Sequence, residues 1–574
     1  VLANYPIPAS RIIPASDPLY RWHLDRKGPH GDSESLLNQH IATAMRRERP
    51  DVLSVVAPLT RRLSLRGYDD RLDIAQTWCY TPGLRVVWLQ EALTAHIRHQ
   101  PRMRSSSFPA FLHMNAGPYP AMPSGDIFAA SCWASLIRPT SMLVLFQALE
   151  MMRGHGLPKA EIDALLGSTA PNAEEAARVI RAKRLSFKGD HPTLAPRVRR
   201  LLAEELPPFR ALLPAWSNAP RQIAVYSCFA DSLFADQRWP TDYTPLLAEL
   251  TRSGVAYDLL FDEDFTRDPK LLDGYDMVFI PNLTYLFEPA WQALRTFVET
   301  PGRVLAVPDT AHAFFPNAVT VRDTGGALSA EEHARIVAEV ESRYGADSGR
   351  PAVIEALDAR LAEAAAQGAD AGPFAPLLDR LGRLNARCLM PHTALNVTRL
   401  DDTHFLSVVN DLRTWGPIYG HFRVLPERGV RQTGDVLFRS ALGRFAYNLR
   451  TARRLAVTTG GNGQSRLSLT LDGGDAAILL LSDHELGRFR AGIVREGTYM
   501  RVTAQACDTT GREIDVSMPC RVAVEGIPDY SGVALFRKGK LDYRFPFDGT
   551  FPTVTLREEA TGATVTLRTA TLRD

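Results

Sequence analysis

The sequence has no excess of charge of either sign: 66 Lys plus Arg stand against 64 Asp plus Glu, a formal net charge of +2. With no concentrated basic block, it carries neither a nucleic-acid footprint nor a polybasic membrane patch. Long apolar runs are missing too. The longest, Ile127 to Leu149, is interrupted by Arg138 and Pro139, short of the roughly 18 residues a spanning helix needs. Cysteine is sparse: Cys79, Cys132, Cys228, Cys388, Cys507 and Cys520 lie scattered without a CxxC, which argues against a zinc site and a disulfide scaffold. Cys507 and Cys520 could still bridge two late strands. Tandem repeats and low-complexity tracts are absent apart from Ala364 to Ala366. The chain opens at Val1 without a charged-then-apolar leader, so nothing is read about secretion.

What is present is a chain of 574 residues, 45% hydrophobic, 23% charged and 9% aromatic. That is the balance of a globular protein too long for one core, and three or four domains are expected. The first two hundred residues alternate apolar runs with amphipathic segments, the pattern of β-α units and a parallel sheet. Strands are expected at Val52 to Ala57, Leu72 to Trp78, Phe108 to Met114 and Ser141 to Phe146, with helices at Ser33 to Arg47, Val86 to His99 and Ile127 to Ile137. Asp126 is a plausible cap for the last of these. After Pro207-Pro208 and Pro214 comes a doubly wound α/β block. Its strands are expected at Gln222 to Ser227, Tyr257 to Phe261, Met277 to Ile280 and Val304 to Val307, and its helices at Tyr243 to Ser253 and Glu288 to Glu299. Ala327 to Arg387 has helical spacing. From about 391 the pattern changes to strand alternation, and one or two β-sandwiches are expected.

The segment from Leu271 to Val307, LLDGYDMVFIPNLTYLFEPAWQALRTFVETPGRVLAV, resembles the glutamine-amidotransferase-like, or trimerisation, domain that follows the catalytic barrel in family 42 β-galactosidases. Upstream, RPDVLSVVAPLTR (Arg49 to Arg61), LDIAQTWCYT (Leu72 to Thr81) and SCWASLIRPTSMLVLFQAL (Ser131 to Leu149) are similar to the fifth, sixth and eighth strand regions of clan-A glycosidase barrels. Downstream, FLSVVNDLRTWGPIYG, YNLRTARRL and YRFPFDGTFPTVTLREEATG resemble accessory β-domains of large bacterial glycosidases. The resemblance implies a multidomain α/β plus all-β chain: residues 1–213 the closing half of a (β/α)8 barrel, 214–325 a flavodoxin-like, amidotransferase-like α/β domain, 326–390 a helical connector or insertion, and 391–574 the sandwich region. It implies a missing barrel half before Val1, a β-linked sugar or oligosaccharide as substrate, no cofactor, and a homo-oligomer built by the α/β domain.

Glycoside hydrolysis needs two carboxyls flanking the scissile bond, one protonated and one ionised. The resemblance places glutamates at the ends of barrel strands four and seven, yet this chain has Asn4-Tyr5 and His113-Met114-Asn115 there. Asp17 and Asp126 are the nearest replacements. Their alternatives are a turn residue before Pro18 and a helix cap. Sugar recognition needs flat apolar faces beside directed polar groups, and Trp78, Tyr80, His113, Asn115 and Trp133 are candidates for lining such a cleft. The alternative for Trp78 and Trp133 is packing between barrel and helices. A noncatalytic carbohydrate-binding or assembly protein with a degenerate barrel is the rival reading. The amidotransferase reaction is a third, in which Cys228 would act beside His312, because the third-strand loop Ile280-Pro281-Asn282 lacks the family's cysteine. Asn282-Leu283-Thr284 and Asn396-Val397-Thr398 match the glycosylation tripeptide.

Overall fold

A computed structural model describes residues 5–27, 33–56, 73–78, 104–108, 124–138, 142–143, 194–213, 221–234, 244–268, 270–280, 283–320, 334–335, 338, 385–390, 392–415, 426–547, 549 and 552–568. The chain is a multidomain assembly of mixed α/β and antiparallel β units. It begins with a strap in which β1 (Ile12–Ile13) precedes the helix Pro18–Lys27.

Four strands follow, β2 (Val55–Val56), β3 (Ile74–Trp78), β4 (Arg104–Phe108) and β5 (Met142–Leu143), and they pair side by side in sequence order, all parallel. The third of these strands, Arg104–Phe108, ends at the residue where the expected strand Phe108 to Met114 begins, and the rest of that expectation lies outside the described residues. Its sequence RSSSF carries no apolar alternation, so periodicity could not find it. At the start of β3 the Asp73 carboxylate accepts from Ser54 N and Oγ, both 2.8 Å, and pairs with Arg46 of the helix Ser33–Glu48 at 2.7 Å. The helix Gly125–Leu136 is capped by Ser124, which accepts from Ile127 N, rather than by Asp126. It is buried almost all round, and its small residues (GDIFAASCWASL) allow neighbours to approach on several sides.

The α/β unit has β6 (Ile223–Ser227), β7 (Tyr257–Phe261), β8 (Met277–Phe279), β9 (Leu286–Phe287), β10 (Val304–Val307) and β11 (Val319–Thr320). Its five-stranded parallel sheet has the order β11-β10-β8-β6-β7. Counted along the chain this is 2-1-3-4-5, the flavodoxin order, whose reversal point lies between the first and third strands. The wholly buried β6, β7 and β8 read as near-continuous apolar runs, interrupted only by Ser227 and Asp258, because helices cover both faces. The strap belongs to this unit's surface: β1 pairs in parallel with β9, Ile12 opposite Leu286 and Ile13 opposite Phe287.

The helical stretch expected at 326–390 lies mostly outside the described residues. The β region starts earlier than expected, because Ala386–Cys388 pairs antiparallel with Gln432–Arg439. The described strands between 386 and 482 form two facing sheets of four and five strands plus a two-stranded ladder of Arg413–Trp415 with Pro426–Gly429, and those between 486 and 568 form two further sheets of three and four. In the first pair, Gln464–Leu471 alternates exposed and buried, whereas Ala476–Ser482 is buried throughout. The difference is physical. One face of Ala476–Ser482 packs into the sandwich interior with Leu406 and Leu467, while its other face, with Ile478 and Leu480, joins a core shared with Phe128, Trp133 and Leu250. Cys507 and Cys520 are both free thiols, so the bridge considered between them is not formed.

Candidate functional site

The residues singled out for a barrel mouth go to different places. Asp17 precedes the helix Pro18–Lys27, and its Oδ1 accepts from Leu19 N at 2.8 Å, the work of a helix cap. Asp126 lies in the first turn of the helix Gly125–Leu136, where its carbonyl meets the Gly474 turn of the first sandwich. Trp78 ends β3. Tyr80, His113 and Asn115 lie outside the described residues. Trp133 is fully buried, edge-on to Phe209 and beneath Arg450. Both faces of its environment are thus occupied by protein, which replaces the cleft lining expected of it with a core position. Arg138 is buried as well and donates to Leu395 O at 3.0 Å. Asn396 is buried and bonds Ile137 O, so its tripeptide is inaccessible. Asn282 lies outside the described residues.

Among the described residues, a buried cluster of titratable side chains stands elsewhere, at the carboxyl edge of the α/β sheet near its reversal point. Tyr226 is the penultimate residue of β6 and Cys228 directly follows the strand. Asp231 lies on the helix Phe229–Phe234, Asp262 directly follows β7, and Tyr285 precedes β9. Asp262 Oδ1 accepts from Tyr226 Oη at 2.5 Å, and Oδ2 from Phe229 N at 2.6 Å. Asp231 accepts from Thr284 N at 2.9 Å and Tyr285 N at 2.6 Å. Burial is the main influence on its carboxyl, pushing it up to about 7; the two backbone donors oppose the rise and Asp262 adds to it. Composition hid this cluster, but the pattern was present: an acidic residue follows each of the first two strands closely, in SCFAD and in FDED.

Cys228 can donate to Tyr285 O at 3.3 Å. Burial first, then Asp262 and Asp231, push its thiol well above the ordinary range. A reactive cysteine needs the opposite environment. His312 bonds Thr320 Oγ1 instead, so no Cys–His pairing supports acyl transfer here. Among the described residues no group of three His, Cys, Asp or Glu side chains is placed to hold a metal ion, and no helix is long and apolar enough to cross a membrane.

No family model matches the sequence, and no curated protein matches it. Among solved structures the chain is similar to an exo-carrageenase of family GH42 from Bacteroides ovatus, with a TM-score of 0.44 and 9% identity over 78% of this chain and 56% of that one. It is similar to a β-galactosidase from Bacillus circulans sp. alkalophilus, at 0.44 and 10% over 78% and 66%. A third likeness, at 0.43 and 11% over 81% and 75%, is to α-L-fucosidase isoenzyme 2 from Paenibacillus thiaminolyticus. The chain spans just over half the length of the first of these proteins.

Proposed function

We propose that the chain is a glycoside-hydrolase-like protein acting on β-linked sugars or oligosaccharides through a carboxylate pair. The observation that carries this reading is an order of parts: β2 to β5 parallel in sequence order, then a parallel sheet in flavodoxin order, then two antiparallel sandwiches. The family resemblance in the sequence implies the same succession, a partial (β/α)8 barrel, an amidotransferase-like domain and β-domains. In this reading the α/β domain builds a homo-oligomer, and the reaction uses acid and base carboxyls without a cofactor.

Asp17 and Asp126 are the carboxylates to test first. The experiment is turnover of a panel of aryl β-glycosides by the protein and by Asp17→Asn and Asp126→Asn separately. A residue that transfers the proton or attacks the sugar lowers kcat by about 10²-fold or more when neutralised. Unchanged turnover in both variants removes them from the mechanism.

A second reading, a noncatalytic carbohydrate-binding or assembly protein, is favoured by one particular placement: Asp17 already serves as a helix cap. Calorimetric titration with the same sugars separates the two readings. Binding without turnover of any of them supports the second.

A further inference from the structure

The carboxyl edge of the flavodoxin-order sheet, where such folds receive ligands, is covered here by the chain's own strap. Three contacts seat it. β1 pairs with β9, and Leu286 N donates to Arg11 O at 3.1 Å. Ala15 N donates to Glu288 Oε2 at 2.9 Å. Tyr20 packs on Phe287 with ring centroids 4.8 Å apart, and its hydroxyl meets Thr266 Oγ1 at 2.7 Å. The short helix Phe229–Phe234 touches both the strap and its seat. Phe234 lies between Tyr5 of the strap and Tyr285 of the loop, at 5.2 and 5.4 Å, while Asp231 binds the backbone of Thr284 and Tyr285. The residues that follow are β9 itself.

We propose that Asp231 is a pH-sensitive latch: ionisation of its carboxyl loosens residues 284–287 and with them the strap that closes the carboxyl edge of the sheet. The neighbouring groups set the sign. Tyr226 faces the site from β6, Cys228 from the residue after it, Asp262 from the residue after β7, and Tyr285 from the loop. Among the described residues, the influences on the Asp231 carboxyl are burial, the two backbone donors and Asp262, with no positive charge among them. An ionised Asp231 shares this dry space with Asp262, whereas opening hydrates it. Because the closed-state carboxyl titrates near 7 and a hydrated one near 4, the closed form is favoured most at low pH, and that preference is lost as pH rises from about 4 to about 7. The latch stands independently of the glycosidase reading.

Hydrogen exchange on the full chain tests it, following peptides that cover 8–16 and 283–290 at pH 5 and pH 8, with rates corrected for intrinsic chemistry. Protection in both is expected to fall about tenfold or more in the wild type. It should stay level in Asp231→Asn, whose amide keeps an acceptor for the backbone donors and cannot ionise. Flat protection in the wild type, or an equal fall in the variant, overturns the latch. Should Asp231→Asn fail to fold, the carboxyl carbon of Asp231 is titrated by NMR in the wild type. A midpoint matching the exchange curve supports the proposal, and one below 5 sinks it.

Discussion

The Arg450 guanidinium lies 4.9 Å from the centre of the Trp133 ring, and its Nη2 reaches Glu205 Oε2 at 2.8 Å. Its other terminal nitrogen pairs with Asp475. One cation therefore ties the helix Gly125–Leu136 and the segment around Glu205 to the first sandwich. Arg197 also pairs with Glu205. Burial alone raises the Glu205 carboxyl, but the charges of Arg450 and Arg197 outweigh it and hold the group below the ordinary range.

Removing that cation is expected to be costly, because it leaves carboxylates in a largely buried joint. Arg450→Met should lose about 1 to 3 kcal/mol in urea unfolding, since Glu205 keeps Arg197 and Arg200. Arg450→Lys should recover only part of the loss, since a single ammonium cannot span two carboxylates while lying flat on an indole. Complete rescue by lysine would show that the planar fork is irrelevant.

Gly474 tests the same joint from the other side. Its φ is +67°, and a Cβ built there stands 2.0 Å from Asp126 O. Gly474→Ala combines left-handed strain with a backbone collision and is expected to cost more than about 2 kcal/mol. Gly497 has a similar φ of +60° with nothing within 4 Å of the added carbon, so Gly497→Ala should cost only about 1 kcal/mol. Equal losses in thermal unfolding would mean that the approach of Gly474 to Asp126 contributes nothing.

His392 gives the acid side of the stability profile. Burial first, then Arg413 and Arg252, hold its imidazole down at about 4. The unfolded residue charges near 6.5, so its contribution is present above that value and is lost as pH falls through about 4. His392 has φ +50°, a conformation that asparagine tolerates. Relative to His392→Asn, the wild type should lose on the order of 2 kcal/mol between pH 7 and 4. The opposite slope from Asp231 is common to both proteins and cancels. A difference independent of pH rules the effect out.

Cys228 is expected to resist a thiol-directed electrophile in the folded protein, with modification read peptide by peptide in a mass spectrometer, and to react once denatured. Its buried thiol, facing Asp262 and Asp231, disfavours the thiolate. Rapid labelling of native Cys228 would revive the amidotransferase reading.

Much of the fold was legible where local pattern and final environment agree. Tyr257–Phe261, Glu288–Glu299 and Val304–Val307 fall at the expected bounds, since each is a short apolar or amphipathic run between turn residues. The helix Thr244–Arg252 ends near Gly254, whose φ of +64° fits the stop read from sequence. The site was harder to read. Ile12 opposite Leu286 joins residues far apart in sequence, and no local period encodes such a pairing. Ser124 rather than Asp126 caps its helix because both are good caps two positions apart. Trp133 looked like a cleft residue because a tryptophan near an expected strand carries the same signal whether it meets a sugar or an arginine.

The central claim is that this chain handles β-linked sugars. The most direct measurement is release of the free sugar and phenol from aryl β-glycosides by the purified protein, quantified together, with titration calorimetry on the same compounds. The account predicts equimolar release of the two products from at least one β-glycoside. Absence of both turnover and binding across the whole panel would contradict it.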